Sequence, residues 1–309
     1  LEFLVDIDDI RLDRFMRRNL EGINQALIEK ALRKGDIRVN GAKAKSSHRL
    51  NKGDVVTAKN LKPLAPLPQK LTPPTHNYTP EDLAYLESLI IWEDDDLCVI
   101  NKPQGLAVQG GTNTPRHLDG LLRAYEKSKS PSSRYLLVHR LDRDTSGVWV
   151  VAKTHAMARH LAECFEQGLV VEKTYWCLVE GTPNPSHSII EAPLLKTTGK
   201  SEKVIVSPKE GKKALTHYRV IKKLGALTWV ECRPKTGRTH QIRVHMQHIG
   251  TPILGDKKYG SQVSYPLCLH ARSLSFPDLE GNRLTFSAHP PTHITNKFTP
   301  FSIRWEEFT

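Results

Sequence analysis

Cysteine is scarce in this chain of 309 residues: Cys98, Cys164, Cys177, Cys232 and Cys268 make an odd number, and no two lie closer than thirteen positions. That spacing offers neither a disulfide framework nor a Cys-x-x-Cys zinc or redox site, so all five read as reduced core residues. Long apolar runs are missing too, and no stretch approaches the roughly eighteen uninterrupted apolar residues of a membrane span. The first ten residues carry four acids and no base, the reverse of a secretion signal. These absences predict a cytoplasmic chain with no membrane partner. There is no internal repeat, and Leu1 stands where a methionine would start a chain, so a short preceding piece is expected.

What is present in excess is positive charge. Forty-five Lys and Arg against thirty-three Asp and Glu leave a formal charge of +12, which favours a polyanion such as nucleic acid. The surplus is local: residues 11–62 hold fourteen bases and five acids. After them come five prolines between Pro63 and Pro74, which bar a regular helix and disfavour a central strand. Length predicts about two domains, and these shifts set their bounds. Residues 1–10 read as an N-terminal extension, 11–62 as a small basic module, 63–80 as a linker and 81–309 as a larger domain.

In the basic module, Asn24 precedes Gln-Ala-Leu-Ile-Glu-Lys-Ala-Leu-Arg-Lys and Gly35, the pattern of a capped helix closed by a glycine, with Leu27, Ile28 and Ala31 turned inward. Its last turn carries Lys30, Arg33 and Lys34. Ile37 and Val39 then alternate with polar residues up to Asn40-Gly41, a type I′ hairpin signal. Lys43, Lys45 and Arg49 extend the basic surface, with His48 beside them. So dense a charge exceeds what solubility requires, and the module reads as an RNA clamp.

Beyond the linker strands dominate. Asp95-Asp96 stands before the apolar Leu97–Ile100, and Ser146-Gly147 before Val148–Ala152. Ala156–Gln167 reads as a helix between Thr154 and Gly168. Thr174–Val179, Thr216–Ile221 and Leu227–Cys232 read as further strands, and Thr239 as the cap of a short helix His240–Ile249 ended by Gly250 and Pro252. Runs of strands with few helices predict an α+β domain on a mainly antiparallel sheet.

Two strings hold residues suited to chemistry. In His139-Arg140-Leu141-Asp142-Arg143-Asp144-Thr145-Ser146-Gly147, two arginines flank Asp142; lying near it they would favour its ionised form, suited to a nucleophile or an electrostatic group. On an extended backbone Asp142 and Asp144 would share a face, which leaves a two-carboxylate or divalent-metal site open beside a plain surface turn with local ion pairs. In Pro234-Lys235-Thr236-Gly237-Arg238-Thr239-His240-Gln241-Ile242-Arg243-Val244-His245, helical spacing puts Ile242, Met246 and Ile249 on one face and Arg243 on a neighbouring one, a rigid mount for a carboxylate's partner. His245 and His248 have metal-ligand spacing but no third ligand in the string, and polar or RNA-facing roles suit them better. Gly110-Gly111-Thr112-Asn113 is a weak phosphate-loop signal.

These strings, with Glu-Lys-Thr-Tyr at 172–175 and Pro-Ile-Leu-Gly-Asp at 252–256, resemble the motifs of the RluA family of pseudouridine synthases, over essentially the whole chain from Arg11. The basic module resembles the small αL-type RNA-binding domain. The two modules in this order, with Asn101-Lys102-Pro103-Gln104-Gly105 between linker and Asp motif, are similar to the bacterial enzymes of large-subunit ribosomal RNA. The resemblance implies isomerisation of uridine to pseudouridine in that RNA or its assembling particle, with no cofactor, no metal and no protein partner, by a monomer. Carried over by position, Asp142 would be the catalytic aspartate and Arg243, ahead of Arg238, its ion-pair partner. Tyr175 would stack on the flipped uracil, Ile242 would pack near it, and Arg140 would hold the space it leaves. Asp144 falls at a variable-looking slot and is structural on this reading, and Glu93–Asp96 is the turn before the first strand. Two rivals follow from the residues alone: an RNA-binding assembly factor indifferent to Asp142, and a metal-dependent nuclease using Asp142 with Asp144.

Overall fold

A computed structural model of the chain describes residues 1–20, 23, 25–59, 77–111, 114–129, 134–167, 170–197 and 203–308. The Asn24 cap, the proline-rich linker and half of the Gly110–Asn113 loop lie outside them. The chain divides into two compact units, Leu1–Pro74 and Thr75–Thr309.

The first unit runs β1 (Glu2–Leu4), β2 (Ile10–Arg11), α1 (Leu12–Asn19), α2 (Gln25–Lys34), β3 (Ile37–Val39), β4 (Ala42–Lys43), β5 (Arg49–Leu50) and β6 (Val55–Ala58). Its main sheet has the order β1-β6-β3-β4. Asn40 and Gly41 both take positive φ, 49° and 79°, as a type I′ turn requires, and β3 folds back on β4. In α2 the core takes Ile28, Ala31 and Leu32, while Leu27 is only partly buried. The expected bound at residue 11 is corrected: β1 is an edge strand antiparallel to β6, Phe3 meets the Phe15 ring edge-on at 6.3 Å, and Val5 is in the core. Long-range pairing recruits this segment, and its acid count hid the short apolar alternation.

The second unit opens with α3 (Pro80–Leu89), capped by Thr79, whose hydroxyl accepts from Asp82 N–H while the Asp82 carboxylate accepts from Thr79 N–H. There follow β7 (Ile90–Glu93), β8 (Leu97–Lys102), α4 (Leu118–Lys129), β9 (Leu136–Leu137), β10 (Ser146–Ala152), α5 (His155–Gln167), β11 (Glu172–Glu180) and β12 (His187–Glu191). Then come β13 (Leu194–Lys196), β14 (Val204–Val206), β15 (Leu215–Leu224), β16 (Leu227–Pro234), α6 (Gln241–His248), β17 (Leu269–Pro277), β18 (Arg283–Ser287) and α7 (Thr292–Thr295). The main sheet has the order β12-β15-β16-β11-β17-β10-β8-β7, with β18 on β17 and β9 on β10. Its named pairs are antiparallel except β10 with β17, so the sheet is mainly antiparallel, with helices against it.

Side chains alternate across the middle of this sheet. On β10, Trp149 and Val151 pack with Leu86 of α3 and Leu118, Leu121 and Leu122 of α4. Val148 and Val150 face the other way, with Met157 and Leu161 of α5. Burying both faces explains why β10 is an uninterrupted apolar run rather than an alternating one. At its head Gly147 has φ 114°, and a Cβ there would lie 2.1 Å from the Ala271 carbonyl oxygen, so only glycine lets β10 meet β17.

His270 on β17 is fully buried; its Nε2 lies 3.0 Å from Ala288 O and its Nδ1 2.9 Å from Ser146 Oγ. A neutral ring donates to the carbonyl and accepts from the hydroxyl, and burial pushes its pKa from 6.5 down to about 4. The unfolded chain therefore binds more protons between those pH values, and stability is lost as pH falls from about 6.5 through 4. Melting followed over that interval should show the loss, and a His270→Gln variant should show less of it. Equal slopes for the two proteins would sink this assignment.

Candidate active site

One cleft of the second unit is lined by four stretches: Arg140, Leu141, Asp142 and Thr145; Lys173 and Tyr175; residues between Pro234 and Arg243; and Leu269. It gathers all five of the catalytic-domain residues singled out in the sequence, Arg140, Asp142, Tyr175, Ile242 and Arg243.

Asp142 occupies the turn before β10, where its backbone carbonyl accepts from Thr145 N–H at 3.1 Å. The turn is tied down from below by Lys102 at the end of β8, whose buried ammonium donates to the carbonyls of Pro103, Leu106 and Arg143 at 2.8–2.9 Å. Three acceptors match the three N–H donors of the charged form. Burial draws the Lys102 pKa down to about 7, with Asp144 and Asp142 acting against that. Gly105 N–H adds a bond to Arg143 O at 2.9 Å. A rigid frame thus presents Asp142, whose side chain is 21% exposed, to the cleft.

The other residues arrive from rigid elements. In the pairing of β11 with β17 the register shifts between Thr174 and Tyr175, a bulge of the kind that re-aims a side chain. Burial first, and Asp142 second, raise the Tyr175 pKa, so the phenol stays protonated. Lys173, two residues before, also lines the cleft, and burial lowers its pKa. On α6, Ile242 and Met246 are buried with Trp176 and Trp229. The helix is capped by His240 instead of the expected Thr239, because His240 takes the left-handed φ of 53° and so ends the loop. The Gln241 side chain pins that loop, accepting from Thr236 Oγ1 and Arg238 N–H and donating to Leu215 O and Thr216 Oγ1.

The charges pair differently from expectation. Arg243 is not the ion-pair partner of Asp142: its Nε and Nη2 donate to the two carboxylate oxygens of Asp256 at 2.7 and 2.8 Å. Both side chains are buried, 8% and 0% exposed, and a guanidinium withdrawn from water takes the carboxylate that gives it a two-point bond. The Arg243 guanidinium also lies over the Tyr259 ring, 5.1 Å from its centroid. Nor do the flanking arginines pair with Asp142: Arg143 turns to Asp144 at 3.6 Å, and Arg140 is exposed at the cleft rim. His240 Nε2 lies 3.9 Å from Asp142 Oδ2. Arg238 lines the cleft and donates to Lys213 O.

Asp144 faces an adjoining cleft with Lys257 and Lys258, in which His240 and Arg243 form the shared wall. His245 is fully buried, with Nδ1 against Thr216 Oγ1 at 2.9 Å and Nε2 against Ala192 O at 3.0 Å, so both ring nitrogens serve the fold. Sequence reasoning passed over His240, Asp256, Tyr259 and Lys173. Lys173, His240 and Asp256 lay within quoted strings, and a buried arginine's need for a carboxylate was the signal for Asp256.

In the first unit Lys30, Arg33, Lys34, Lys43, Lys45 and Arg49 are all exposed. Arg49 belongs to a groove with Arg11, Arg14, Arg18, Asp8 and Asp9, and donates to the Asp9 carbonyl and carboxylate. The other five do not line that groove. Among the described residues no helix is long and apolar enough to cross a membrane.

A family profile described as RNA pseudouridylate synthase matches residues 96–248. The ribosomal large subunit pseudouridine synthase C of Vibrio cholerae is 39% identical over 263 residues, covering 84% of this chain and 80% of that protein. The protein of that name from Escherichia coli K12 is 39% identical over 255 residues, covering 82% and 76%. The solved structure of human RNA pseudouridylate synthase domain containing 4 matches with a TM-score of 0.61 at 28% identity, covering 71% of this chain and 96% of that one. Such identity over four fifths of a curated relative, with the motif residues gathered in one cleft, is a family relationship: the chain belongs to the RNA pseudouridylate synthases of the RluA type.

Proposed function

We propose that this protein isomerises uridine to pseudouridine in large-subunit ribosomal RNA, with Asp142 as the catalytic carboxylate. The observation that carries the reading is the convergence of Asp142, Tyr175, Ile242, Arg243 and Arg140 on one cleft from separate segments of the chain. The names of the curated relatives support the RNA substrate.

The target nucleotide is extruded from its stack into the cleft. Its glycosidic C1′–N1 bond breaks, the freed base turns, and C1′ bonds to C5; the proton on C5 is lost and N1 gains one. Nothing is oxidised or hydrolysed overall, so the balance calls for no cofactor. Asp142 acts on the sugar or the ring at the moment charge develops there, Tyr175 stacks on the base with Ile242 beside it, and exposed Arg140 fills the space left in the RNA. Arg243, fixed by Asp256, supplies a positive field without itself binding Asp142. The basic first unit, read as an αL-type RNA-binding domain, adds phosphate contacts and raises the effective concentration of the second unit on its substrate. Such an enzyme works in the cytoplasm on the RNA or on its assembling particle.

The reaction has a direct readout. Ribosomal RNA carrying tritium at uridine C5 should release it to water on incubation with the protein, with chelator present throughout. Absence of release from both protein-free RNA and immature large subunits would remove the isomerase reading and leave an RNA-binding factor.

A further inference from the structure

His240 is a residue of the cleft to which the proposed reaction gives no part. Its Nε2 lies 3.9 Å from Asp142 Oδ2, and its Nδ1 lies 2.7 Å from the Tyr259 hydroxyl oxygen. That hydroxyl also accepts from Val204 N–H at 3.1 Å, and Tyr259 is 6% exposed. A phenol has one proton to give. Donated to His240 Nδ1, it leaves Val204 N–H, the Tyr259 hydroxyl and Nδ1 all paired; were Nδ1 to donate instead, the Tyr259 proton would have no acceptor among the described residues. Tyr259 therefore fixes the tautomer that carries its proton on Nε2, the nitrogen turned to Asp142.

The surroundings favour this position of the ring. Its backbone is in the left-handed region, the Tyr259 ring meets it edge-on at 5.4 Å, and Tyr259 is packed with Val244, Leu194 and Val204. The charged groups that act on it are Asp142, Arg243, Lys258 and Asp256. Burial holds its pKa below the ordinary value, against the pull of Asp142, so the ring is a neutral donor.

We propose that His240 is a positioning residue for Asp142: with its tautomer set by Tyr259, its Nε2–H holds the carboxylate in the reactive orientation once RNA fills the cleft. This rests on Asp142 being the catalytic carboxylate. A gap of 3.9 Å is short of a hydrogen bond, and contacts of this kind tighten when substrate expels water.

The left-handed backbone makes the test a choice of amides. Asparagine adopts that conformation readily but is too short to reach Asp142, whereas glutamine can place its amide near the Nε2 position. In steady-state tritium release, His240→Asn and His240→Phe should lose about tenfold or more in kcat, the worth of one hydrogen bond to a charged group, with KM for RNA unchanged. His240→Gln should recover most of that loss. Tyr259→Phe should lower kcat when His240 is present and add little in the Gln variant, whose amide needs no tautomer fixed. Equal activity of the Asn and Gln variants overturns the proposal, because a purely backbone role favours Asn, and so does an additive loss from Tyr259→Phe in both backgrounds. Asp142→Asn in the same assay separates the two levels: if it still releases tritium the catalytic reading has failed, and if it is silent while the His240 series is flat only this inference has.

Discussion

Asp142→Asn should silence tritium release by at least about a thousandfold, which is on the order of 4 kcal/mol of transition-state stabilisation at 1.36 kcal/mol per decade. The substitution keeps the shape and removes the charge. It should leave the fold intact, because the Asp142 side chain is 21% exposed and the His240 ring lies 3.9 Å from its carboxylate, too far for a bond whose loss would destabilise the unit. RNA affinity should hold as well, since the substitution leaves every base proposed to contact RNA in place. Asp144→Asn is the matched control: a half-exposed carboxylate paired with Arg143 at 3.6 Å contributes little to stability and, on this reading, nothing to the reaction. The measurement is release rate beside melting temperature and RNA binding for both variants. Normal release by Asp142→Asn would remove Asp142 from the reaction, and equal loss in both variants would mean that the two carboxylates act together.

The second large effect concerns Asp256, whose observed contact is with the Arg243 guanidinium. Asp256→Leu leaves the Arg243 guanidinium buried with no carboxylate opposite its two donors, and breaking a buried pair from one side costs about 3–5 kcal/mol. For a unit of this size that corresponds to a melting temperature lower by on the order of 10 °C. Replacing both members, Asp256→Leu with Arg243→Met, should recover most of the stability, because two apolar groups of similar volume need no partner, yet the double variant should remain inactive. Thermal unfolding of the two single variants and the double closes the cycle. An Asp256→Leu protein that melts with wild type would mean that Arg243 finds another partner and that the pair is not what fixes it.

The sheet was legible in the sequence where local pattern determines structure. Leu97–Ile100 and Val148–Ala152 are apolar runs behind polar turns, and β8 and β10 extend them by only two residues each. Asn40-Gly41 specified its turn, and the Asp142 and Arg243 strings specified the cleft. What was illegible depends on partners distant in the chain. β1 joins β6 across fifty residues of sequence, so the short apolar alternation within residues 1–10 did not by itself announce a strand. The resemblance implied Arg243 as the partner of Asp142, which drew attention by its flanking arginines, whereas Asp256 is the carboxylate that the fold buries beside Arg243. His240 was read as the first residue of a helix, and only its left-handed φ turns it into the cap that aims a ring at Asp142.

The place of β17 in the sheet has a consequence for when the protein becomes an enzyme during its own synthesis. Asp142, Tyr175 and Arg243 have all been translated by the end of α6, yet β10 and β11 are not neighbours: the strand between them is β17, Leu269–Pro277. Gly147 meets Ala271 and Tyr175 faces the same residue from the other side, so both arms of the cleft lean on a segment made later than every residue they present. A nascent chain that has emerged only as far as Gly250 carries the chemistry in two unjoined halves, with exposed strand edges where β17 will insert. The catalytic geometry is therefore one of the last things the ribosome's product acquires, and C-terminal truncation before β17 removes it while sparing every residue of the reaction.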